Sequence, residues 1–554
     1  MTFSSRALRD PPRAIAAGFF VLALAWAALG RAASDEGTLT WFASALLGES
    51  FAAGLFLQRF HPALGLLYLP TLPFGWGGFV VAHVAVASLG VLAAGRWMQR
   101  AGGDGALAAL ALAASPAYLY GAVTGQSNTD GAALLLVGCA LYEGDGGRAR
   151  FAGGAVLGFT VWARYELAPA VAALALYALW RKERRAAFAG VLLWPVGYLA
   201  AGAVYHRMGL WFVRYPPLDT LSAPGIQEAF RLRPSPEAAR RLALAPALVS
   251  GAWALMAAGG ARGALASTRI IAGVTGSLGA LFVALPFFGT FGPEVVPRYL
   301  SVALPAVAVA GGALATLNPR SLGPAVALAL TAAAAWIGAR AGGTSALLLS
   351  APLSAAWCAL GVARPSVRRL ALGVALSLPL LTALPSPQDL ARFEAPWAPV
   401  ALADRVADLA RARPPRTVVT NVQNLAPLLA ARGSFRVRYL LGFDVAMALP
   451  EVTHPSNGQL QAVARAFSAR YERTGALWPC GLARETFYPG DLVVLGAEWR
   501  TEPLTPSSMW RPFTERVADL DHTVILRVTR GPSRVTLPPP PWARARGLGA
   551  LCGN

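Results

Sequence analysis

About thirteen long apolar segments with few charges recur between residues 13 and 385, and they limit the folds open to this chain. A helix needs about 20 apolar residues to cross the ~30 Å hydrocarbon core of a bilayer. Only 14% of the residues are charged, against about 25% in soluble domains. The sequence therefore predicts a mainly α, polytopic membrane protein. Its predicted transmembrane helices lie near residues 13–31, 76–95, 105–122, 130–142, 151–165, 167–180, 186–205, 243–260, 269–288, 300–317, 323–339, 344–362 and 370–385.

Basic residues occur at every second connection between these segments. This pattern predicts the orientation of the protein in the membrane. With a cytoplasmic N-terminus, every basic flank lies on the cytoplasmic side, as the positive-inside rule requires. An odd number of crossings then puts the C-terminal region in the periplasm of a bacterial inner (plasma) membrane. The flanks are Arg6, Arg9, Arg13, Arg96, Arg100, Arg148, Arg150, Arg262, Arg269, Arg320, "RKERR" at 181–185 and "ARPSVRR" at 363–369. Because basic residues are scattered between apolar spans, the net charge of +20 does not favour a nucleic-acid partner.

The composition changes after Pro385, which predicts two domains. Residues 1–385 form the transmembrane domain, with outward-facing loops 32–75 and 206–242. Residues 386–554 form a small extracytoplasmic α/β domain, because β-branched runs alternate there with helical stretches. That region lacks a Gly-rich phosphate loop, so we expect it to cover an active site or bind an acceptor. Its Cys480 and Cys552 are candidates for a disulfide if the region lies outside, and the sequence leaves the pairing open.

Two adjacent acids, Asp35 and Glu36, follow the first apolar segment. Carboxylates are costly near hydrocarbon unless they face water, a cation or another partner. The next run, "TLTWFASALLGESFAAGLFLQRF", is apolar at helical spacing but interrupted by polar residues, which favours a helix lying in the membrane interface. The sequence "HPALGLLYLP" then begins with His61, and Pro62 is suited to the first turn of a helix. By themselves, the two acids are equally consistent with a solvated loop that caps a helix.

Four motifs in this order resemble the membrane-integral glycosyltransferases of the GT-C fold. The resemblance is greatest to the protein O-mannosyltransferases (glycosyltransferase family 39) and to the bacterial enzymes that transfer aminoarabinose to lipid A. The motifs are the Asp-Glu pair with its interfacial helix and "HPALG", "ASPAYLYGAVTGQSNTDGAALLL" (114–136), "WARYE" (162–166) and "VPRYLSVALP" (296–305). The family's "HPPLG" reads "HPALG" here and Leu66 follows it, so the acceptor cannot be inferred from the mannosyltransferases.

This resemblance implies an enzyme that moves a sugar from a polyprenyl-phosphate donor to an acceptor on the extracytoplasmic face. It implies that Asp35 is the general base that deprotonates the acceptor, with Glu36 assisting. The leaving phosphate needs cationic or hydrogen-bonding partners. The residues expected to bind that phosphate are Arg298, Tyr299 and Arg164, and the other expected site residues are His61, Asp130 and Glu166.

A divalent cation, Mg²⁺ or Mn²⁺, is a further expectation from the resemblance, with Asp35 and Asp130 as its ligands. Carboxylate oxygens suit such hard cations, although acids at scattered positions without a fixed spacing are a weak signal. The expected partners are the lipid-linked sugar, membrane lipids and an acceptor that is a protein, a lipid or a glycan.

Two other classes of protein remain open from the sequence. A lipid or glycolipid transporter, or flippase, would also have many apolar spans with charges at membrane depth. It predicts an inverted repeat, and the sequence has none that we can detect. A non-catalytic membrane assembly protein is the other class, and it would not need Asp35, Glu36, Asp130 and Arg298 on the same side of the membrane.

Overall fold

The computed structural model describes most of the apolar half of the chain and parts of its C-terminal region. The described residues are 10–28, 62–211, 265–284, 300–314, 364–383, 400–420, 435–440, 476–477, 486–496, 510–520 and 523–534, with single residues at 37, 40, 44, 47, 51, 55, 422, 425 and 429. The chain divides into two compact units. The first comprises Met1–Leu29, Gly77–Trp211 and Glu228–Pro396, and the second comprises Gly30–Trp76, Phe212–Gln227 and Trp397–Asn554.

Apolar helices build the first unit. In the described residues, the helices before the C-terminal region are α1 Pro11–Ala28, α2 Pro62–Tyr68, α3 Gly75–Arg100, α4 Gly105–Ala113, α5 Pro116–Thr124, α6 Ser127–Tyr142, α7 Gly146–Ala163, α8 Ala168–Trp180, α9 Arg185–His206, α10 Ala266–Ala284, α11 Leu304–Ala313 and α12 Pro365–Ala383. Short 3₁₀ turns at Leu69–Phe74, Tyr165–Leu167, Lys182–Arg184 and Leu300–Ala303 precede α3, α8, α9 and α11. Of these elements, α2, the first 3₁₀ turn and the first two residues of α3 belong to the second unit, and the others belong to the first.

Ten of the thirteen predicted spans coincide at least in part with these helices. The predicted spans 243–260, 323–339 and 344–362 lie outside the described residues. Among the described helices, three segments are long and apolar enough to cross a bilayer by themselves, namely Pro11–Ala28, Ala63–Arg100 and Lys182–Tyr205. The others are shorter or more polar, so the predicted number of crossings stays a prediction.

The predicted span 105–122 is not one continuous helix. It consists of α4 and α5, whose axes differ by 61°. Ser115 lies between them with an extended backbone (φ −70°, ψ 119°), and Pro116 begins α5. A proline disfavours the helical conformation of the preceding residue and donates no backbone hydrogen bond, so the helix bends at this point.

Glycines allow close contact between the backbones of α7 and α9. A Cβ built on Gly154 would collide with the carbonyl oxygen of Ala187, and one on Gly158 would collide with that of Val191. A Cβ on Gly190 of α9 would likewise collide with the carbonyl oxygen of Phe151. Small residues at helix contacts are common in membranes, because association there depends on close van der Waals packing.

At one end of this unit, ion pairs link the ends of neighbouring helices. The basic flanks of the sequence lie at this same end. Arg96 pairs with Asp10. Arg369 Nε lies 2.6 Å from Asp104 Oδ2. Arg184 lies 2.5 Å from Glu143, with its guanidinium 4.8 Å from the centre of the Tyr142 ring. These contacts join α1 to α3, α4 to α12 and α6 to the turn before α9.

The second unit contains a mixed six-stranded sheet in its described part. Its strands are β1 Thr417–Thr420, β2 Arg436–Leu440, β3 Ala476–Leu477, β4 Leu492–Leu495, β5 Thr514–Leu520 and β6 Thr523–Val528, in the order β3-β2-β1-β4-β6-β5. Strands β1 to β4 are mutually parallel, whereas β6 pairs antiparallel with β4 and with β5. Helix α13, Val400–Ala412, precedes β1.

The sheet has an apolar core on each face. Leu402 and Val406 of α13 pack with Val418, Leu492 and Val494 on one face. On the other face Val419, Val493 and Leu526 pack with aromatic side chains, which are Phe487, Trp510 and Phe513. Strands buried on both faces need cover on both sides, which is typical of parallel α/β sheets.

Candidate functional site

A tight turn joins α5 to α6 and brings polar side chains together. Gly125 ends α5 in the left-handed conformation (φ 80°), and Gln126 is the N-cap residue of α6. Asp130 lies in the first turn of α6, where the N-terminus of the helix favours a negative charge. A Cβ on Gly121 would collide with the Thr129 hydroxyl, so glycine is needed where the two helices meet.

His83 of α3 lies against this turn. Its Nε2 is 3.1 Å from Asp130 Oδ2, and both side chains are fully buried. The same nitrogen is 3.2 Å from the carbonyl oxygen of Gln126, while Nδ1 is 2.9 Å from that of Ala122. The aromatic ring of Phe79 packs nearby, with its centre 5.9 Å from that of the imidazole. A histidine and an aspartate thus form a buried pair at this turn.

Arg164 connects the same turn to the next pair of helices. It ends α7 with an extended backbone (φ −150°, ψ 106°). Its Nη1 donates to Ser127 Oγ at 2.8 Å, and its Nη2 donates to Glu166 Oε1 at 2.8 Å. The Arg164 side chain is 4% exposed and that of Glu166 is 22% exposed. Of this pair, the carboxylate is therefore the more accessible partner.

Arg164 packs directly on the helix that carries Asp130. A Cβ on Gly131 would lie 2.6 Å from Arg164 Cγ and 3.1 Å from a methyl carbon of Leu167. His83, Ser127, Asp130, Arg164 and Glu166 therefore belong to one contiguous group, which we call the polar cluster. It lies at the opposite end of α6 from Glu143, and the 16 residues of this helix span about 24 Å. The polar cluster is consequently remote from the ion pairs at the basic flanks.

Three of the residues predicted from the sequence, Asp130, Arg164 and Glu166, lie in the polar cluster. The other predicted residues, Asp35, Glu36, His61, Arg298 and Tyr299, lie outside the described residues, and their roles stay predictions. In the described part, Arg164 is engaged by Ser127 and Glu166. The predicted contact of Arg164 with the donor phosphate stays a prediction as well.

His83 belongs to the polar cluster but was not among the predicted site residues. It stands in the apolar run "FVVAHVAVA" (79–87) of a predicted span. An ionisable residue within a span requires a partner, and that signal was available from the sequence. The sequence did not indicate which residue is the partner of His83, because Asp130 is far away along the chain. Only the packing of α3 against the turn brings the two residues together.

The described residues do not by themselves complete a metal centre. A divalent cation needs several oxygen ligands, and the expected pair was Asp35 and Asp130. The described residues contain no group of three or more His, Cys, Asp or Glu side chains that could hold a metal ion. The carboxylate of Asp130 instead lies against His83. The expected cation stays a prediction that depends on Asp35.

Comparison with known proteins supports one fold. No family model matches the chain, and no curated protein matches its sequence. The crystal structure of ArnT from Cupriavidus metallidurans bound to undecaprenyl phosphate matches with a TM-score of 0.52 and 15% identity, over 96% of this chain and 100% of that chain. The apo structure of ArnT from Cupriavidus metallidurans matches with a TM-score of 0.48 and 16% identity, over 92% and 98%. The chain therefore has the fold of ArnT, which is the GT-C fold that the sequence motifs led us to expect.

Proposed function

We propose that this protein is a membrane glycosyltransferase that moves a sugar from a polyprenyl-phosphate carrier to an acceptor on the extracytoplasmic face. The observation that carries the proposal is the fold likeness, which extends over 96% of this chain and all of an ArnT that was crystallised with undecaprenyl phosphate. The motifs around Asp35, Asp130, Arg164 and Arg298 add to it, because they occur in the order expected for such transferases.

The polar cluster supports the proposed location of the chemistry. Ser127 and Asp130 lie in the first turn of α6, Arg164 and Glu166 lie between α7 and α8, and His83 of α3 packs against them. The ends of α6 and α7 concerned are those opposite the basic flanks. If the basic flanks are cytoplasmic, the polar cluster lies towards the outer surface, where a lipid phosphate and a water-borne acceptor can meet. Buried ionisable groups within a transmembrane domain usually mark a functional site.

The proposed reaction has few steps. Asp35 takes the proton from an acceptor hydroxyl or amine, and the freed oxygen or nitrogen attacks the anomeric carbon of the sugar. The bond between the anomeric carbon and the phosphate oxygen breaks, and the polyprenyl phosphate leaves with its electron pair. Arg298 and Tyr299 stabilise the negative charge on this leaving group. Glu36 orients Asp35, and the polar cluster holds the ends of α5 to α8 in place around the sugar.

The test measures sugar transfer directly. Purified protein in nanodiscs is given a panel of undecaprenyl-phosphate sugars, and released undecaprenyl phosphate and the glycosylated product are quantified by mass spectrometry. We expect turnover with at least one donor, and we expect Asp35→Asn to lower it by roughly 10²–10⁴-fold, the usual contribution of a general base. Asparagine keeps the shape of the side chain while removing its basicity.

Asp145→Asn is the matched control. Asp145 is exposed, precedes α7 at the basic-flank end and makes no side-chain capping bond in the described structure, so this change should leave turnover within about twofold. Normal turnover by Asp35→Asn, measured on equal amounts of folded protein, would mean that another group is the base. If no donor is consumed while labelled glycolipid crosses the membrane of protein-containing vesicles, the flippase alternative would replace the transferase.

A further inference from the structure

The connection between α8 and α9 lies at the start of a segment that can cross a bilayer. Helix α8 ends at Trp180, a 3₁₀ turn covers Lys182–Arg184, and α9 begins at Arg185. Among the described helices, the segment Lys182–Tyr205 is long and apolar enough to span the membrane by itself. This connection therefore lies at a surface of the membrane, at the end of the helical unit opposite the polar cluster.

The basic side chains of this connection are exposed, with one exception. Arg181, Lys182 and Arg185 are exposed, whereas the Arg184 side chain is 14% exposed and pairs with the acid that follows α6. Glu183, the acid of the connection itself, is exposed as well. Apart from the paired arginine, the connection thus presents three cations and one acid to its surroundings. A surface with this balance of charge attracts anions.

Hydrogen bonds from two other helices hold the connection in place. Arg184 Nη2 lies 2.5 Å from Glu143 Oε2, and its Nη1 donates to the carbonyl oxygen of Tyr142 at 3.2 Å. From α7, Arg150 Nη1 donates to the carbonyl oxygen of Glu183 at 2.7 Å. The backbone that carries the exposed cations is therefore already ordered, and a ligand that binds them does not have to order it.

Large apolar side chains of α8 are exposed beside these cations. Leu176, Leu179 and Trp180 are 67%, 47% and 89% exposed, and their spacing puts them on one face of the helix. Leucines exposed in this way are suited to contact acyl chains, and tryptophan is enriched where a membrane meets water. Arg181 Cζ lies 5.8 Å from the centre of the Tyr177 ring, so this cation is held close to the end of α8. An apolar face and a group of cations thus adjoin at the membrane surface.

We propose that Arg181, Lys182 and Arg185 form a binding surface for the headgroup of an anionic phospholipid. We call these three residues the basic surface. Guanidinium and ammonium groups bind the lipid phosphate, while the acyl chains lie along the exposed leucines of α8. Basic groups at the cytoplasmic ends of membrane helices recognise anionic lipids by this chemistry. The inference does not depend on the proposed reaction, since the basic surface lies at the opposite end of the unit from the polar cluster.

The test compares phosphatidylglycerol, which is anionic, with phosphatidylcholine, which is zwitterionic. Full-length protein in detergent is titrated with each lipid, and the first bound lipid is quantified by native mass spectrometry. We expect the parent protein to bind phosphatidylglycerol about tenfold more tightly or better. The triple variant Arg181→Gln, Lys182→Gln, Arg185→Gln should lose about 10- to 100-fold in affinity for phosphatidylglycerol, and its affinity for phosphatidylcholine should not change.

Two further variants separate the basic surface from the net charge of the protein. The control triple variant Arg511→Gln, Arg530→Gln, Arg534→Gln removes the same charge from exposed positions of the second unit, and it should bind phosphatidylglycerol as the parent does. Glu183→Gln removes the acid beside the basic surface and should raise the affinity for phosphatidylglycerol by about two- to fivefold. Size-exclusion chromatography of every variant confirms that folded protein is compared.

Four outcomes would overturn the inference. They are equal affinity of the parent protein for the two lipids, unchanged affinity for phosphatidylglycerol in the first triple variant, an equal loss in the control triple variant, and weaker binding by Glu183→Gln. Soluble glycerol phosphate at the same concentration as the lipid should not displace phosphatidylglycerol. Displacement would show that the basic surface takes a free phosphate, and the assignment to a lipid would then be wrong.

Discussion

At the scale of single residues, buried or partly buried acids in the described structure lie against basic side chains or backbone N–H groups. Asp130 faces His83, and Glu166 binds Arg164. In the second unit, Asp491 is buried and accepts from backbone groups instead. Its Oδ1 accepts from the N–H groups of Arg416 and Thr417 at 3.0 and 2.9 Å, and its Oδ2 accepts from that of Tyr488 at 2.8 Å. Asp491 therefore ties the start of β1 to the turn before β4.

Replacement of this carboxylate should loosen the start of β1. Asp491→Asn leaves one acceptor oxygen where three N–H groups need partners, so at least one buried donor loses its bond. We expect the local free energy of opening around residues 416–420 to fall by roughly 1–3 kcal/mol. Hydrogen–deuterium exchange of full-length protein in nanodiscs measures it, with Asp408→Asn as control because its pair with Arg411 is exposed. Equal protection in both variants would contradict this role of Asp491.

At the scale of secondary-structure elements, the contact between α7 and α9 depends on the absence of side-chain atoms at three glycines. Gly154 and Gly158 face backbone carbonyl groups of α9, and Gly190 faces backbone atoms of α7. Backbone atoms cannot move aside as a flexible side chain can. The sequence alone predicted two apolar spans here, and their separation follows only from this packing.

Gly158→Ala should separate α7 from α9 and lower stability. The new methyl group would meet the carbonyl of Val191, and overpacking of this kind costs about 1–3 kcal/mol. Gly197→Ala on α9 is the control, because nothing described lies within 4 Å of a Cβ there and alanine favours helix more than glycine does. Thermal unfolding in detergent should give a lower midpoint for Gly158→Ala only. A midpoint lowered equally by both changes would argue against the close α7–α9 contact.

At the scale of the whole molecule, the chain combines a helical unit with a unit that contains the sheet. The helical unit has polar groups of two kinds at its two ends, with ion pairs among the basic flanks at one end and the polar cluster at the other. This separation agrees with the sequence, because basic flanks at every second connection come together at one end of the unit. The direction of the molecule in the membrane is still a prediction from the positive-inside rule.

Reporter fusions test that direction. Alkaline phosphatase fused after Pro385 should be active, because the C-terminal region is predicted to be periplasmic, while the same enzyme fused after Arg185 should be inactive. Green fluorescent protein at the two sites should give the reverse pattern. Activity of one reporter at both sites would mean that the two positions share a side of the membrane, and the proposed location of the site would then be wrong.

Several features of this protein follow from local sequence. Transfer of apolar residues into lipid is nearly additive along a segment, so the apolar runs locate α1 and the helices from α3 to α12 without knowledge of their neighbours, although not the bend between α4 and α5. The same holds for Pro62 at the start of α2. It holds too for the runs "RTVVTN", "RVRYLLGFD", "DLVVLG" and "HTVILRVTR", which predict strands where β1, β2, β4 and β6 lie. Strand β5, "TERVADL", was missed because its residues are mostly polar or partly exposed, as an edge strand allows.

Tertiary structure decided everything that depends on which distant residues meet. His83 and Asp130 come from different helices, Arg164 reaches Ser127 across 37 positions, and β1 lies beside β4 instead of β3. Local pattern carries no information about these pairs, because they depend on how closely helices approach and on the route of each connection. Sequence motifs therefore selected the fold and three members of the polar cluster, whereas helix packing supplied the histidine and gave Arg164 and Asp130 their partners.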